Sequence, residues 1–246
     1  MTQIIILAAG KGTRMGSELP KVLVPLNGKP MIQYLIESVI ATNPQHQPII
    51  VVSPENKEII SQALENYNVK YAIQDKQLGT GHAVSCARNY IDSRAKNIFI
   101  LNGDHPFYKI ETIREFPLQH KGIVSMITVV LSNFEDWRSV FYHWGRIIRG
   151  KNNNVKEIKE FKEATDEEKK ILEINPNCFC FNKDWLFKNI DKLQDNNKAH
   201  EFYLTDMISL AFSEGHKIEA VSIEPREAMG INSPEELSIA ESLEKK

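Results

Sequence analysis

At 246 residues the chain is long for one domain and ample for a buried core, and 42% hydrophobic with 25% charged residues excludes a disordered, coiled-coil or disulfide-built protein. Thirty Lys and Arg against thirty-two Asp and Glu leave a net charge of -2, so no global field draws the chain to nucleic acid or an anionic membrane; any phosphate site must be built locally. The three cysteines, Cys86, Cys178 and Cys180, are odd in number and lack paired C-x-x-C knuckles, which fits a reduced cytoplasmic protein without structural zinc.

Gln3 to Ala8 is a β-branched run ending in small residues, the pattern of a buried parallel strand that delivers a loop, here Gly10 to Leu23, at its carboxyl end. Its apolar part is too short for a signal-peptide core and no basic residue precedes it. Pro30 is placed at a first helical position, with Ile32, Leu35, Ile36, Val39 and Ile40 at helical spacing after it. Ile49 to Val52 predicts a strand, Ser53 and Pro54 start a helix to about Asn66, and Val69 to Ile73 predicts a strand again. Thr80 to Tyr90 predicts a helix, and Asn97 to Leu101 a strand ending in the polar turn Asn102 to Pro106. Strands alternating with helices imply a parallel sheet with right-handed crossovers, helices on both faces and ligands at the carboxyl ends of strands. The Gly10 loop and the Asp104 turn can then face one crevice.

Beyond residue 120 the pattern is richer in strands. Ile123 to Leu131 is the longest apolar stretch; Ser125 and Thr128 interrupt it, and it falls far short of the ~20 residues that cross a bilayer. Gly145 to Arg149 and Val155 to Ile158 flank a turn at Asn152 to Asn154 and predict a hairpin. Thr165 to Leu172 predicts a short charged helix, Ile174 to Phe181 a strand, Leu204 to Phe212 a helix and Ile218 to Ile223 a strand. Ser233, Pro234 and Glu236 form a capping box for a last helix. No repeat, low-complexity tract or linker divides the chain, so one domain over 1–246 is expected.

The segment Leu7-Ala8-Ala9-Gly10-Lys11-Gly12-Thr13-Arg14-Met15-Gly16, followed by Pro20-Lys21, combines glycines that let backbone amides approach phosphate oxygens with three cations, Lys11, Arg14 and Lys21. Met15 occupies the third glycine position of a dinucleotide fingerprint, and no Walker loop occurs. A glycine-rich stretch alone reads equally well as a solvated strand-to-helix turn. Of the seven histidines, His105 beside Asp104 is the one that suggests a metal pair, but neighbours on an extended turn diverge and no H-x-x-x-H or cysteine partner supports zinc. His82 is expected to pack on its helix, and Cys178 and Cys180 to be buried small residues.

The glycine loop with Leu19-Pro20-Lys21-Val22-Leu23 resembles the signature of the sugar-1-phosphate nucleotidylyltransferases, and closely that of the bacterial bifunctional N-acetylglucosamine-1-phosphate uridylyltransferases. Gln74 with Gln77 to Ala83 resembles that family's base-recognition segment, and Asn102-Gly103-Asp104 its metal turn. Trp144-Gly145-Arg146, Glu160-x-Lys162, Ile174-Asn175, Glu201 to Asp206 and Gly230-Ile231-Asn232 follow in the family's order, so the resemblance spans residues 4 to 233. It departs at three places: the family has Tyr where Asn102 and Trp144 stand and Thr-Gly where Pro176-Asn177 stands, the last two beside the expected sugar pocket.

The resemblance implies a Rossmann-like, mostly parallel sheet with helices on both faces and a small β-rich sugar-binding lobe. A nucleotide-binding half over about 1–120, a sugar-binding half over about 121–233 and a C-terminal helix over 233–244 follow from it. It implies transfer of a uridylyl group from UTP to a sugar-1-phosphate, first N-acetylglucosamine-1-phosphate, in nucleotide-sugar biosynthesis. Another sugar or base, or a non-catalytic nucleotide-binding module, are the alternatives. Arg14 and Lys21 are the implied catalytic cations. Leu7, Ala8, Ala9, Gly10, Lys11, Gly12, Gln74, Gly79, Thr80, Asn102 and Gly103 are implied in nucleotide binding, Gly145, Glu160, Asn175 and Thr205 in sugar binding, and Asp104 and Asn232 as Mg²⁺ ligands. The bifunctional relatives continue into a hexapeptide-repeat acetyltransferase region. This chain stops at Lys246, so neither that domain nor coenzyme A binding is expected, and nucleic acid and membrane are not expected partners.

Overall fold

In the computed structural model, which describes residues 1–244, the amino-terminal β-branched run forms β1 (Thr2–Leu7), whose Ile4 and Ile6 enter one core and Ile5 another. A hairpin of β2 (Pro25–Leu26) and β3 (Lys29–Pro30) follows, closed by Asn27 and Gly28 at positive φ, and then α1 (Met31–Ala41) and β4 (Ile49–Val52). Next come α2 (Pro54–Ala63), β5 (Lys70–Ile73), α3 (Thr80–Cys86), β6 (Asn97–Asn102) and α4 (Ile110–Gln119). The second half runs β7 (Val124–Val130), β8 (Gly145–Arg149), β9 (Val155–Lys159), β10 (Glu173–Asn175) and β11 (Phe179–Asn182). It ends with α5 (Lys183–Asn189), α6 (Asp206–Ser213), β12 (Glu219–Ser222) and α7 (Pro234–Glu244).

The large sheet has the order β5-β4-β1-β6-β11-β7-β10-β8-β9, with β12 beside β7. β5, β4, β1 and β6 are parallel, as strand-helix-strand crossovers require, and β12 is parallel to β7. β11 joins antiparallel between β6 and β7 in the centre of the sheet, and β10, β8 and β9 join antiparallel beyond β7 and build the lobe. Helices α1, α2 and α4 cover the Ile4 and Ile6 side, and α3, α5 and α6 the Ile5 side, so the α/β class with both faces covered holds. A third cluster, Val129, Leu131, Phe141, Ile174, Met229 and Ile231, packs with Met15, Leu26 and Met31 and ties the lobe to the glycine loop. Among the described residues no helix is long and apolar enough to cross a membrane.

The strand expected over Ile174 to Phe181 is two strands, β10 and β11, because Pro176 has no N–H for the ladder and Asn177 takes φ 56°. The helix expected over Thr165 to Leu172 is a single 3-10 turn, Glu168–Lys170, capped reciprocally by Thr165 and Glu168 before β10 begins. The helix from Thr80 stops at Cys86 and tightens into a 3-10 turn at Arg88–Tyr90, while the one from Pro54 stops at Ala63. Pro30 caps α1 from outside while pairing with Pro25. Helices α4 and α5 were not expected; α4 contains Pro117, and α5 begins on an Asn182 cap right after a strand.

Candidate active site

The carboxyl ends of β1 and β6 and the antiparallel lobe border one cleft of ≈ 720 Å³. At its basic end the loop after β1 turns twice. Gly12 stands at φ 61° with its Cα against Lys21, where a Cβ would come within 2.5 Å of the Lys21 Cβ, so the two cationic segments pack directly. Met15, in the place of a third glycine, is buried in the lobe cluster and anchors the turn, while Lys11 and Arg14 stay exposed at the cleft. A glycine there would free the turn; methionine fixes it.

Opposite them lies the turn after β6. The Lys21 ammonium donates to Asp104 Oδ2 and, at 2.9 Å, to Asn232 Oδ1. Asn232 is held by its own N–H, which donates to Glu236 Oε2 at 2.6 Å in the capping turn of α7, and the Ile231 N–H donates to the Asp104 carbonyl at 3.0 Å. Two residues far apart in sequence are thereby fixed side by side. Burial pushes the Asp104 carboxyl up, but Lys21, His105 and its hydrogen bonds outweigh this and hold it below the ordinary range. Burial pushes the His105 imidazole down, and the ring packs against Tyr108 and Trp144.

The third wall is the segment after β5. Gln77 Nε2 donates to the Ala9 carbonyl at 3.0 Å, joining this wall to the glycine loop. Gly79 has φ 109°, and a Cβ there would lie 2.7 Å from the Phe202 carbonyl; the Gly81 N–H donates to that carbonyl at 2.8 Å and the Leu204 N–H to Thr80 Oγ1 at 3.0 Å. The segment is strapped down before any ligand arrives.

The far end of the cleft belongs to the lobe and is acidic. Glu160 Oε1 accepts from the Thr205 hydroxyl at 3.0 Å, and Glu201 lies beside it. Burial, with Asp206 and Glu201 adding to it, pushes the Glu160 carboxyl up against the Thr205 bond. Asn175 and Asn177 bond reciprocally, Asn175 Nδ2 to Asn177 Oδ1 at 2.6 Å and the Asn177 N–H to Asn175 Oδ1 at 3.0 Å, so the Pro176-Asn177 departure forms a closed turn on the cleft wall. Because the folded state holds Glu160's proton more tightly than the unfolded chain, ionised Glu160 lowers stability as pH rises. Glu160→Gln is therefore expected to raise Tm at pH 7, with the gain shrinking as pH falls toward 4.5, the ordinary value; thermal melts across pH check this.

The structure brings Leu7, Ala8, Ala9, Gly10, Lys11, Gly12, Arg14, Lys21, Gln74, Gly79, Thr80, Asn102, Asp104, Gly145, Glu160, Asn175 and Asn232 to this one cleft. Two expected residues stand behind it. Gly103 does not line the cleft; its N–H donates to the Leu7 carbonyl at 2.8 Å, and it packs β6 against β1 where a Cβ would crowd that carbonyl. Thr205 is buried and reaches the site only through Glu160. Sequence reasoning marked Asn177 as a departure beside the sugar pocket and missed Gln77 as a brace and Glu236 as the support of Asn232. Only Glu236 had a local signal, its capping box.

Asp104 and Asn232 offer a carboxylate and an amide oxygen converging on one positive centre, a hard-oxygen pair that suits Mg²⁺ completed by phosphate oxygens and water. Among the described residues no group of three or more His, Cys, Asp or Glu gathers as a metal cage.

The profile of the MobA-like NTP transferase domain matches residues 4–202. The bifunctional protein GlmU of Caldicellulosiruptor saccharolyticus is 41% identical over 238 residues, covering 96% of this chain and 50% of that protein. The bifunctional protein GlmU of Clostridium novyi is 38% identical over 242 residues, covering 97% and 51%. The chain spans about half the length of the curated relatives it matches. A solved Bacillus anthracis protein, assigned as a glucose-1-phosphate thymidylyltransferase and bound to sucrose, superposes with TM-score 0.75 at 18% identity, over 99% of this chain and 95% of its own. That likeness shows the shared fold.

Proposed function

The chain belongs to the family of MobA-like NTP transferase domains, and from that premise we propose that it transfers a uridylyl group from UTP to a sugar-1-phosphate, first N-acetylglucosamine-1-phosphate. The observation that carries this reading is the polarity of the cleft: Lys11, Arg14 and Lys21 at one end, Glu160 and Glu201 at the other. A pair of ligands that is polyanionic where they meet and hydroxylic at one tip matches that polarity. The sequence resemblance to the N-acetylglucosamine-1-phosphate uridylyltransferases supports the sugar.

In the proposed reaction an oxygen of the sugar phosphate attacks the α-phosphorus of UTP, the bond from that phosphorus to the bridging oxygen breaks, and pyrophosphate leaves. The chain's work is alignment and charge neutralisation, with no covalent intermediate. Arg14, exposed on its turn, faces the leaving pyrophosphate; Lys21 faces the reacting phosphate. Neither exchanges a proton. Leu7 to Gly10 meet the nucleoside through backbone, and Gln74, Gly79 and Thr80 read the base edge. Glu160 and Asn175 meet sugar hydroxyls, and Gly145 leaves room for the ring. A Mg²⁺ held by Asp104 and Asn232 would neutralise phosphate charge.

Pyrophosphate release from UTP and Mg²⁺ over a panel of sugar-1-phosphates tests the reading, with Asp104→Ala as control. Release with N-acetylglucosamine-1-phosphate that the control loses is the expected result. Release with another sugar alone moves the substrate and keeps the reaction, whereas tight UTP binding with no release across the panel contradicts the reading in favour of a binding module.

A further inference from the structure

We propose that His82 is a positioning residue for base selection: it holds the Gln74 carboxamide so that Oε1, and not Nε2, faces the nucleotide. The proposal rests on the reading of Gln74 as the base-recognition residue. Gln74 follows β5 and is almost wholly buried; its backbone N–H donates to the Val52 carbonyl at 2.9 Å, so the side chain leaves from a fixed point. Its Nε2 lies 3.0 Å from the Gly79 carbonyl and 3.1 Å from His82 Nδ1. A carbonyl can only accept, so the Gly79 contact decides which end of the carboxamide is nitrogen. With one hydrogen on Gly79, the other points to His82, whose Nδ1 must then be the acceptor and whose Nε2 must carry the proton. Nε2 lies 3.7 Å from Cys86 Sγ, and burial pushes the Cys86 thiol up, so the sulfur stays a neutral acceptor at the end of the chain.

Both amide hydrogens are thus engaged inside the protein, and Oε1 is the atom Gln74 offers to the cleft it lines. An acceptor at that point complements the N3–H of uracil or thymine. It repels the N3 lone pair of cytosine, so base selection becomes a matter of amide orientation. Gly79 alone holds the carboxamide by one hydrogen and leaves the second unpaired; His82 takes the second and adds its hydrogen bond to the same orientation.

Titration calorimetry of the full chain with UTP and with CTP tests this on the parent, His82→Phe, His82→Asn and Gln74→Ala, with thermal melts on each. His82→Phe keeps a ring but no acceptor, and is expected to lower the UTP-to-CTP affinity ratio roughly tenfold, the worth of about one hydrogen bond. His82→Asn places an oxygen where Nδ1 stood and is expected to restore most of the ratio. If His82→Phe does not fold, His82→Leu carries the same expectation. An unchanged ratio in the acceptor-free variant, while Gln74→Ala loses it, overturns the proposal and leaves the Gln74 reading standing. A loss that His82→Asn does not recover assigns His82 to packing and overturns it too. A parent without preference, or a Gln74→Ala variant that keeps the preference, removes the Gln74 reading and the proposal together.

Discussion

Lys21→Ala is expected to lower the rate of pyrophosphate release by about 10²–10³-fold, the scale for losing one preorganised group aimed at developing charge. The side chain is held at both ends. Its Cβ packs on Gly12, and its side chain, only 16% exposed, reaches Asp104 and Asn232 with the ammonium. Its stem is fixed beside the cleft, so a phosphate meets a cation already in place, and the loss is expected in kcat more than in KM. The same change leaves the buried Asp104 carboxylate without its principal counter-charge, and such a loss costs about 3–5 kcal/mol in a closed interior. Asp104's folded-state pKa is lowered, so this stability is present above its ordinary value of 3.8 and fades as pH falls through the folded value. Because the ammonium competes for the two oxygens assigned to Mg²⁺, Lys21→Ala is also expected to gain more Tm from added Mg²⁺ than the parent does. Stopped-flow pyrophosphate assays and melts with and without Mg²⁺ measure the two effects separately.

Arg146→Ala is expected to lower stability by about 3–5 kcal/mol, which at this chain length is a fall in Tm of roughly 10 °C or more. Arg146 is fully buried, and among the described residues it has no carboxylate partner. Its guanidinium instead donates to the Tyr142 carbonyl at 2.7 Å, to the Trp144 carbonyl, and twice to the Lys169 carbonyl at 3.0 and 3.2 Å, with its centre 4.7 Å over the Phe134 ring. Truncation leaves these carbonyls unpaired and a cavity behind them. Lysine cannot reproduce a planar fork meeting several carbonyls, so Arg146→Lys is expected to recover little. Trp144 and Gly145 line the cleft, so affinity for the sugar phosphate is expected to fall while UTP affinity holds. Calorimetry with each ligand separates the two.

What the sequence made legible was periodic or local. The alternation of Ile4, Ile5 and Ile6 announces a strand buried on both faces, and the cluster of Gly10, Lys11, Gly12 and Arg14 announces a turn that meets anions. The family resemblance placed most of the cleft residues. What it left hidden depends on distance in sequence. Lys21 and Asn232 are 211 residues apart, Arg146 reaches the Lys169 carbonyl 23 residues on, and neither contact has a local pattern. Gly103 and Thr205 show the converse: each belongs to a family motif, yet one serves strand packing and the other holds Glu160. The Pro176 break is hidden in the sequence because apolar residues continue at alternate positions across it, Ile174, Pro176, Cys178 and Cys180, while the missing N–H ends one ladder there: β10 pairs with β7 and β8, and β11 with β6 and another stretch of β7.

A displacement at the α-phosphorus fixes the fate of a label placed there. Chain, Mg²⁺, N-acetylglucosamine-1-phosphate and UTP labelled at the α-phosphate are mixed, and the products separated. Label in the nucleotide sugar and unlabelled pyrophosphate, in equal amounts, is the expected result. Label that stays in free nucleotide while phosphate or pyrophosphate accumulates would contradict it.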